Sequence, residues 1–267
     1  ITPYKAVKIL DCFVSFKKDW LKHNKEIAGQ RISNKDMETA KAITSQEAKW
    51  NSSIDITIPE PARDIIESIG FQARKSEYVD VKSGVSARLS ITAFENLLST
   101  AERRLLLSGD DHTSIRMSDF TGIIPAITGK IELVYEGEQE GAYNVALQLI
   151  GNAIKSLYPR YFPKIQKIEK QGEETSYDGI ISWFFNSNEE FEILDDVNEN
   201  DYTSLLKKVT PLSNFIKQHN SDVNSEELYF WQEFVLWALV EYKKLSKYRY
   251  SEGVQFKDPY GSFINGL

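Results

Sequence analysis

Apolar positions recur at helical spacing along most of the chain. Beyond Ser90, the residues Ile91, Phe94, Leu97, Leu98, Ala101, Leu105 and Leu106 fall three and four apart on one stripe, and Gly109 follows. This pattern predicts a long amphipathic helix that stops at a glycine. Pro59 and Pro61 suit the first turn of a helix running through Ile65, Ile66 and Ile69 to Ala73 and Arg74. Ahead of it, Asn51-Ser52-Ser53 breaks the pattern, and Ile54, Ile56 and Ile58 alternate with polar residues as a short extended piece. Further helices are expected over Ile1 to Leu21, from Ser33 as N-cap to Trp50, and over Ala142 to Tyr158. Another is expected from Ser118 as N-cap, with Phe120, Ile123, Ile124, Ile127, Ile131 and Val134 on one side and a kink or an interruption at Pro125.

The stretch from Tyr158 to Pro163, followed by a charged run to Glu174, reads as a boundary. Beyond it lie helical patterns over Tyr177 to Phe185, Tyr202 to His219 and Glu226 to Tyr248, and the aromatic residues between Leu228 and Tyr242 have the spacing of core positions. The tail from Ser251 to Leu267 has no periodicity. The predicted fold is therefore all-α, a helical bundle followed by a second helical unit. Its expected segments are 1–53 (leading helices), 54–158 (bundle), 159–175 (linker) and 176–267 (C-terminal helical extension).

Composition narrows the function classes. The 267 residues are 41% hydrophobic, enough for a sizeable core, and the net charge of −7 argues against a nucleic-acid partner. No apolar run approaches the roughly 18 residues of a membrane span and no signal-peptide pattern opens the chain, so no membrane partner and a cytoplasmic location are expected. The lone Cys12 fits a reducing compartment. A first residue of Ile1 rather than methionine suggests a piece of something longer.

Most candidate chemistry falls away on spacing. GIIPAITGK, Gly122 to Lys130, has the wrong gap between glycines for a phosphate loop, and Ile131 stands where a magnesium-binding hydroxyl belongs. FEILDDV, Phe191 to Val197, reads as an apolar strand ending in paired acids, with the surrounding acidic run as a solvated loop. His23, His112 and His219 are scattered, so no metal site is expected. Arg103 and Arg104 stand near a helix C-terminus, where the peptide dipoles favour positive charge. Arg88 is different, because it follows a Gly-Val-Ser-Ala turn at a helix mouth, where acids are the usual occupants. It either pairs with Glu95 or Asp80 as a surface ion pair or awaits an external anion.

With these residues in view, Ile56 to Phe120 resembles the lid region of AAA+ ATPases of the MoxR and magnesium-chelatase subunit I-like type. The matching features are an extended piece, a helix ending in Ala73-Arg74, and a Gly-x-Ser-x-Arg turn, Gly84-Val85-Ser86-Ala87-Arg88. A long helix then ends at Gly109, and Ile115-Arg116-Met117-Ser118-Asp119 follows. The stretch from Ile123 to Glu140, with TGKIELVYEGEQEG running from Thr128 to Gly141, points to a chelatase-related branch, while Ala87 stands where many members have proline. The resemblance implies an AAA+ lid-type bundle in which Arg88 is the catalytic sensor-2 arginine and Gly84, Ser86 and Arg88 meet the nucleotide. It implies ATP and magnesium in a full-length parent, with none bound to this fragment alone, which lacks the phosphate loop and should be inactive. Implied partners are neighbouring AAA+ subunits in a ring and a protein substrate or co-chelatase partner of the VWA type. The alternative is a stand-alone helical protein interaction module without nucleotide chemistry.

Overall fold

A computed structural model describes residues 34–50, 53–80, 82–166, 175–187, 190–220, 223–224, 226–250 and 252–258. The expected helix over Ile1 to Leu21 and the Ser33 cap lie outside the described residues. The described residues from Met37 onward belong to one compact unit.

The chain is mainly helical, as its periodicity predicts. Helix α1 (Asn34–Glu47) is followed by a two-residue strand β1 (Ile56–Thr57), then by α2 (Glu60–Ala73) and α3 (Arg88–Ser108). Pro61 occupies the first turn of α2, where its missing N–H costs no hydrogen bond. Gly109 ends α3 with φ of 73° and donates its N–H to Leu105 O at 3.1 Å, a left-handed conformation that glycine adopts without a steric penalty. Phe94, Leu97, Leu98, Ala101 and Leu105 of the α3 stripe are buried, each large apolar side chain contributing about 1.5–3 kcal/mol on leaving water, whereas Ile91 is half-buried and Leu106, at the end of the stripe, turns out to solvent. Strand β2 (Thr113–Ser114) returns to pair in parallel with β1, Ile56 opposite Thr113, so that the ends of the α2–α3 pair are tied together.

The helical segment expected from Ser118 is interrupted at Pro125: a 3-10 turn (Met117–Ile123) is followed by a five-residue α4 (Ile124–Thr128) and, after an extended break, by α5 (Tyr135–Glu140). Pro125 suits the start of a new helix and not the interior of an old one. The N-terminal cap is made by Asp119, which accepts the Arg116 N–H at 2.7 Å, in place of Ser118.

Helix α6 (Ala142–Tyr161) lies along α2, where the hydroxyls of Ser68 and Ser156 meet at 2.9 Å. Then follow α7 (Asp178–Asn186), β3 (Phe191–Leu194), α8 (Glu199–Lys208), α9 (Thr210–His219) and α10 (Leu228–Glu241). The helix expected over Tyr202 to His219 is broken at Val209, because Pro211 can only begin a helix there. Helix α10 carries the aromatic core: Trp231 and Phe234 pack on Tyr161 and Phe162 with ring centroids 4.8 to 6.5 Å apart. It ends at Glu241, short of the expected Tyr248, and the chain turns through Lys243 with φ of 62°. Strands β4 (Ser246–Arg249) and β5 (Gly253–Lys257) complete an antiparallel sheet in the order β3-β5-β4. The aperiodic tail thus supplies the central, buried strand of that sheet. Among the described residues, no helix is long and apolar enough to cross a membrane.

Candidate functional site

Between α2 and α3 the chain makes the turn that carries Gly84, Ser86 and Arg88. The loop is pinned at its base, since Asp80 N–H donates to Glu132 O at 2.8 Å and Val134 N–H to Tyr78 O at 3.1 Å. The Asp80 carboxylate accepts the Lys82 N–H at 2.8 Å, and the Ser83 hydroxyl donates to Glu132. Gly84 then takes φ of 70°, a conformation in which a side chain would be strained. Ser86 Oγ accepts the Arg88 N–H at 3.2 Å and Ser86 O accepts the Leu89 N–H at 3.0 Å, which starts α3.

Arg88 is the first residue of α3, and it is exposed. Among the described residues no carboxylate pairs with its guanidinium. The two acids expected to compete for it are engaged elsewhere, Asp80 with the Lys82 N–H and Glu95 with the Lys49 N–H at 2.8 Å. The first turn of α3 contains no acidic residue, so the positive end of its peptide dipoles and the Arg88 charge face the same solvent.

At the other end of α3, the arginine pair behaves unlike a pair of dipole-favoured surface charges. Arg103 is exposed and makes a forked pair with Asp196, at 2.7 and 3.2 Å. Arg104 is 2% exposed and makes a forked pair with Asp119, with Nη2 also donating to Ser114 O at 2.9 Å and Nη1 donating to Thr113 Oγ1. Arg116, equally buried, donates to Val197 O and Glu199, each at 2.9 Å, and stacks 3.8 Å above the Tyr202 ring. Glu233 of α10 closes the network. It accepts the Met117 N–H at 3.0 Å, the Tyr202 hydroxyl at 2.9 Å and the Trp237 indole N–H at 3.3 Å. Burial pushes the Glu233 carboxyl up to about 7, against the pull of the Tyr202 bond, with the Asp119 charge pushing the same way.

The acidic run expected to be solvated therefore supplies three partners for arginines. Asp195 pairs with Arg249, Asp196 with Arg103, and Glu199 with Arg116. With Ser118, Thr121 and Tyr143, the Arg249–Asp195, Arg103–Asp196 and Arg104–Asp119 pairs line a cleft of about 620 Å³ beside α3. Every charge named on its rim is neutralised by a neighbour, which leaves hydroxyl and amide groups as its free hydrogen-bonding capacity. Among the described residues, no group of three or more His, Cys, Asp and Glu side chains could hold a metal ion.

Arg88 begins α3 and the cleft lies further along it, beside Asn96 to Arg104, so the structure does not gather its arginines into one site. Helical spacing alone could have exposed the role of Arg104, which stands seven residues after Leu97 and three after Ala101 on the apolar stripe. No family model, curated protein or solved structure matches the chain.

Proposed function

We propose that the chain is the lid and C-terminal helical extension of a cytoplasmic AAA+ ATPase of the MoxR or magnesium-chelatase type, with Arg88 as its phosphate-contacting arginine. The observation that carries this reading is the exposed Arg88 guanidinium, without an ion-pair partner among the described residues, at a helix mouth free of acidic residues. A planar, permanently charged fork held there suits a phosphate group brought by another domain. Its surroundings fit an anion, since the α3 dipole adds to the charge and Gly84 and Ser86 shape the turn beneath it. ATP and magnesium would be held by a nucleotide-binding domain of a longer parent, and the bound triphosphate would supply the transferable phosphoryl group. Arg88 would stabilise charge on that group, and neighbouring subunits of a ring and a remodelled protein or co-chelatase would be the partners.

The test is ATP turnover by the full-length parent carrying Arg88→Ala. A loss of about a hundredfold or more, the scale of removing one pre-placed charge donor, is expected with the thermal unfolding midpoint unchanged. Unchanged turnover overturns the reading.

One observation favours the interaction module instead. Leu106 and Leu107, side by side at the far end of α3, are 73% and 57% exposed, an apolar pair open to a protein partner. If turnover survives Arg88→Ala but a co-purifying partner is lost with Leu106→Ser and Leu107→Ser together, the module reading stands.

A further inference from the structure

The turn that presents Arg88 is itself held by a second arginine. Arg74, the residue that follows α2, does not extend into solvent. Its Nε–H donates to the backbone carbonyl of Val85 at 3.2 Å, in the middle of the Gly84-Val85-Ser86 turn. The guanidinium stands 5.5 Å from the centre of the Phe71 ring, and it lies over Gly70, where an added Cβ would come within 3.4 Å of Nη1 and 3.2 Å of Ser90 Oγ. A side chain at position 70 would therefore crowd Ser90 in the first turn of α3 and touch Arg74.

Behind the guanidinium sits Glu67, which is 4% exposed. Burial pushes its carboxyl up, while hydrogen bonds from Thr44 and Ser90 and the charges of Arg74 and Lys41 pull it back. Glu67 accepts the Thr44 hydroxyl at 2.5 Å and supplies a negative charge on α2, the helix that Arg74 follows. The chain of contacts runs from Arg74 to the Val85 carbonyl and on through Ser86 to Arg88, and of these only Arg74 lies outside the five residues of the turn.

We infer that Arg74 is a positioning residue that fixes the Gly84–Arg88 turn and so sets the direction in which Arg88 leaves the first turn of α3. This inference rests on the reading of Arg88 as the phosphate-contacting residue, but its geometric part is independent of it. A planar Nε–H reaches a carbonyl at a defined angle, so the turn has one arrangement while that bond holds. Without it, Gly84 leaves the backbone free to sample others.

The experiment uses the full-length parent with Arg74→Met, Arg88→Ala and the two combined. Arg74→Lys serves as a second variant that keeps the charge facing Glu67 but loses the planar Nε–H, in case the methionine variant does not fold. Two readouts are taken. Amide hydrogen exchange of Arg88 and Leu89, whose N–H groups bond to Ser86, is expected to quicken about tenfold or more in both Arg74 variants, while amides of the buried α3 middle keep their protection. ATP turnover is expected to fall about tenfold in kcat with KM for ATP unchanged, and the double variant should be no slower than Arg88→Ala alone, because both changes remove the same contact.

Unaltered exchange at Arg88 and Leu89 overturns the positioning role whatever the turnover does. If exchange quickens while Arg88→Ala leaves turnover intact, Arg74 holds the turn and it is the ATPase reading that fails. If Arg88→Ala lowers turnover and adding Arg74→Met lowers it further, Arg74 acts by another route and the inference is overturned.

Discussion

Arg104 and Asp119 form a buried, forked ion pair, with Nε to Oδ1 at 3.2 Å and Nη2 to Oδ2 at 2.8 Å, and each side chain is less than 5% exposed. The pair does more than neutralise two charges. The same Asp119 oxygen accepts the Arg116 N–H and caps the 3-10 turn, so one carboxylate joins α3 to the segment that follows β2. The fixed fork of arginine suits the task, because it satisfies a carboxylate and the Thr113 and Ser114 oxygens at once.

Removing one partner should therefore cost far more than removing both. Asp119→Ala leaves a buried guanidinium without its counter-charge, and an uncompensated buried charge costs about 3–5 kcal/mol. Combining it with Arg104→Met should restore part of the loss. Urea unfolding of the two single variants and the double variant measures this, and a double variant less stable than either single one would contradict it.

Glu233 gives the network a pH dependence of known sign. Its folded-state pKa, about 7, lies above the ordinary 4.5, so the folded form holds a proton that the unfolded form has released between those values. Stability from this group is fully present below pH 4.5 and is lost as pH rises through 7. A shift of that size corresponds to about 3 kcal/mol, at about 1.4 kcal/mol per pH unit. Glu233→Gln keeps the shape without the ionisation, so the natural protein should gain stability relative to this variant as pH falls from 7 toward 4.5. Denaturant titrations at several pH values read the difference, and a difference independent of pH would remove Glu233 as its source.

How much of this was legible depended on the range of the interaction concerned. Helix α3, with its stop at Gly109, was written in local spacing, and so was the first turn of α2 at Pro61. The exposure of Arg88 follows from its place at a helix mouth. The partner of Arg104 was not legible, because no periodicity links a helix position to Asp119, fifteen residues on. Glu233 reaches Met117 across 116 residues, a contact that only the finished fold creates. The arginine partners of the acidic run were hidden for the same reason, since a charge block looks solvated until its counter-charges arrive from elsewhere. Strand β5 was missed because five residues beside a polar turn carry too little alternation, and its place at the sheet centre comes from β3 and β4 on either side.

That strand yields the last prediction. Gly253 begins β5 opposite Leu194, and a Cβ added there would stand 2.6 Å from Ile193 O and 3.1 Å from Leu194 Cα. Both are backbone atoms of β3, so no rotamer change can relieve the clash, and the strands must separate. Gly253→Ala should therefore destabilise the protein by about 1–3 kcal/mol, the scale of an overpacked interior. The damage should centre on the β3-β5 edge, where amide exchange of Phe191 to Leu194 should quicken while the buried middle of α3 keeps its protection. The same substitution at Gly109, where an added Cβ meets nothing within 4 Å, strains only the local backbone through its φ of 73°. It should cost less and leave the sheet amides unchanged. Comparing exchange in the two variants separates a clash between strands from strain in one residue, and equal effects on the sheet would contradict the close approach at Gly253.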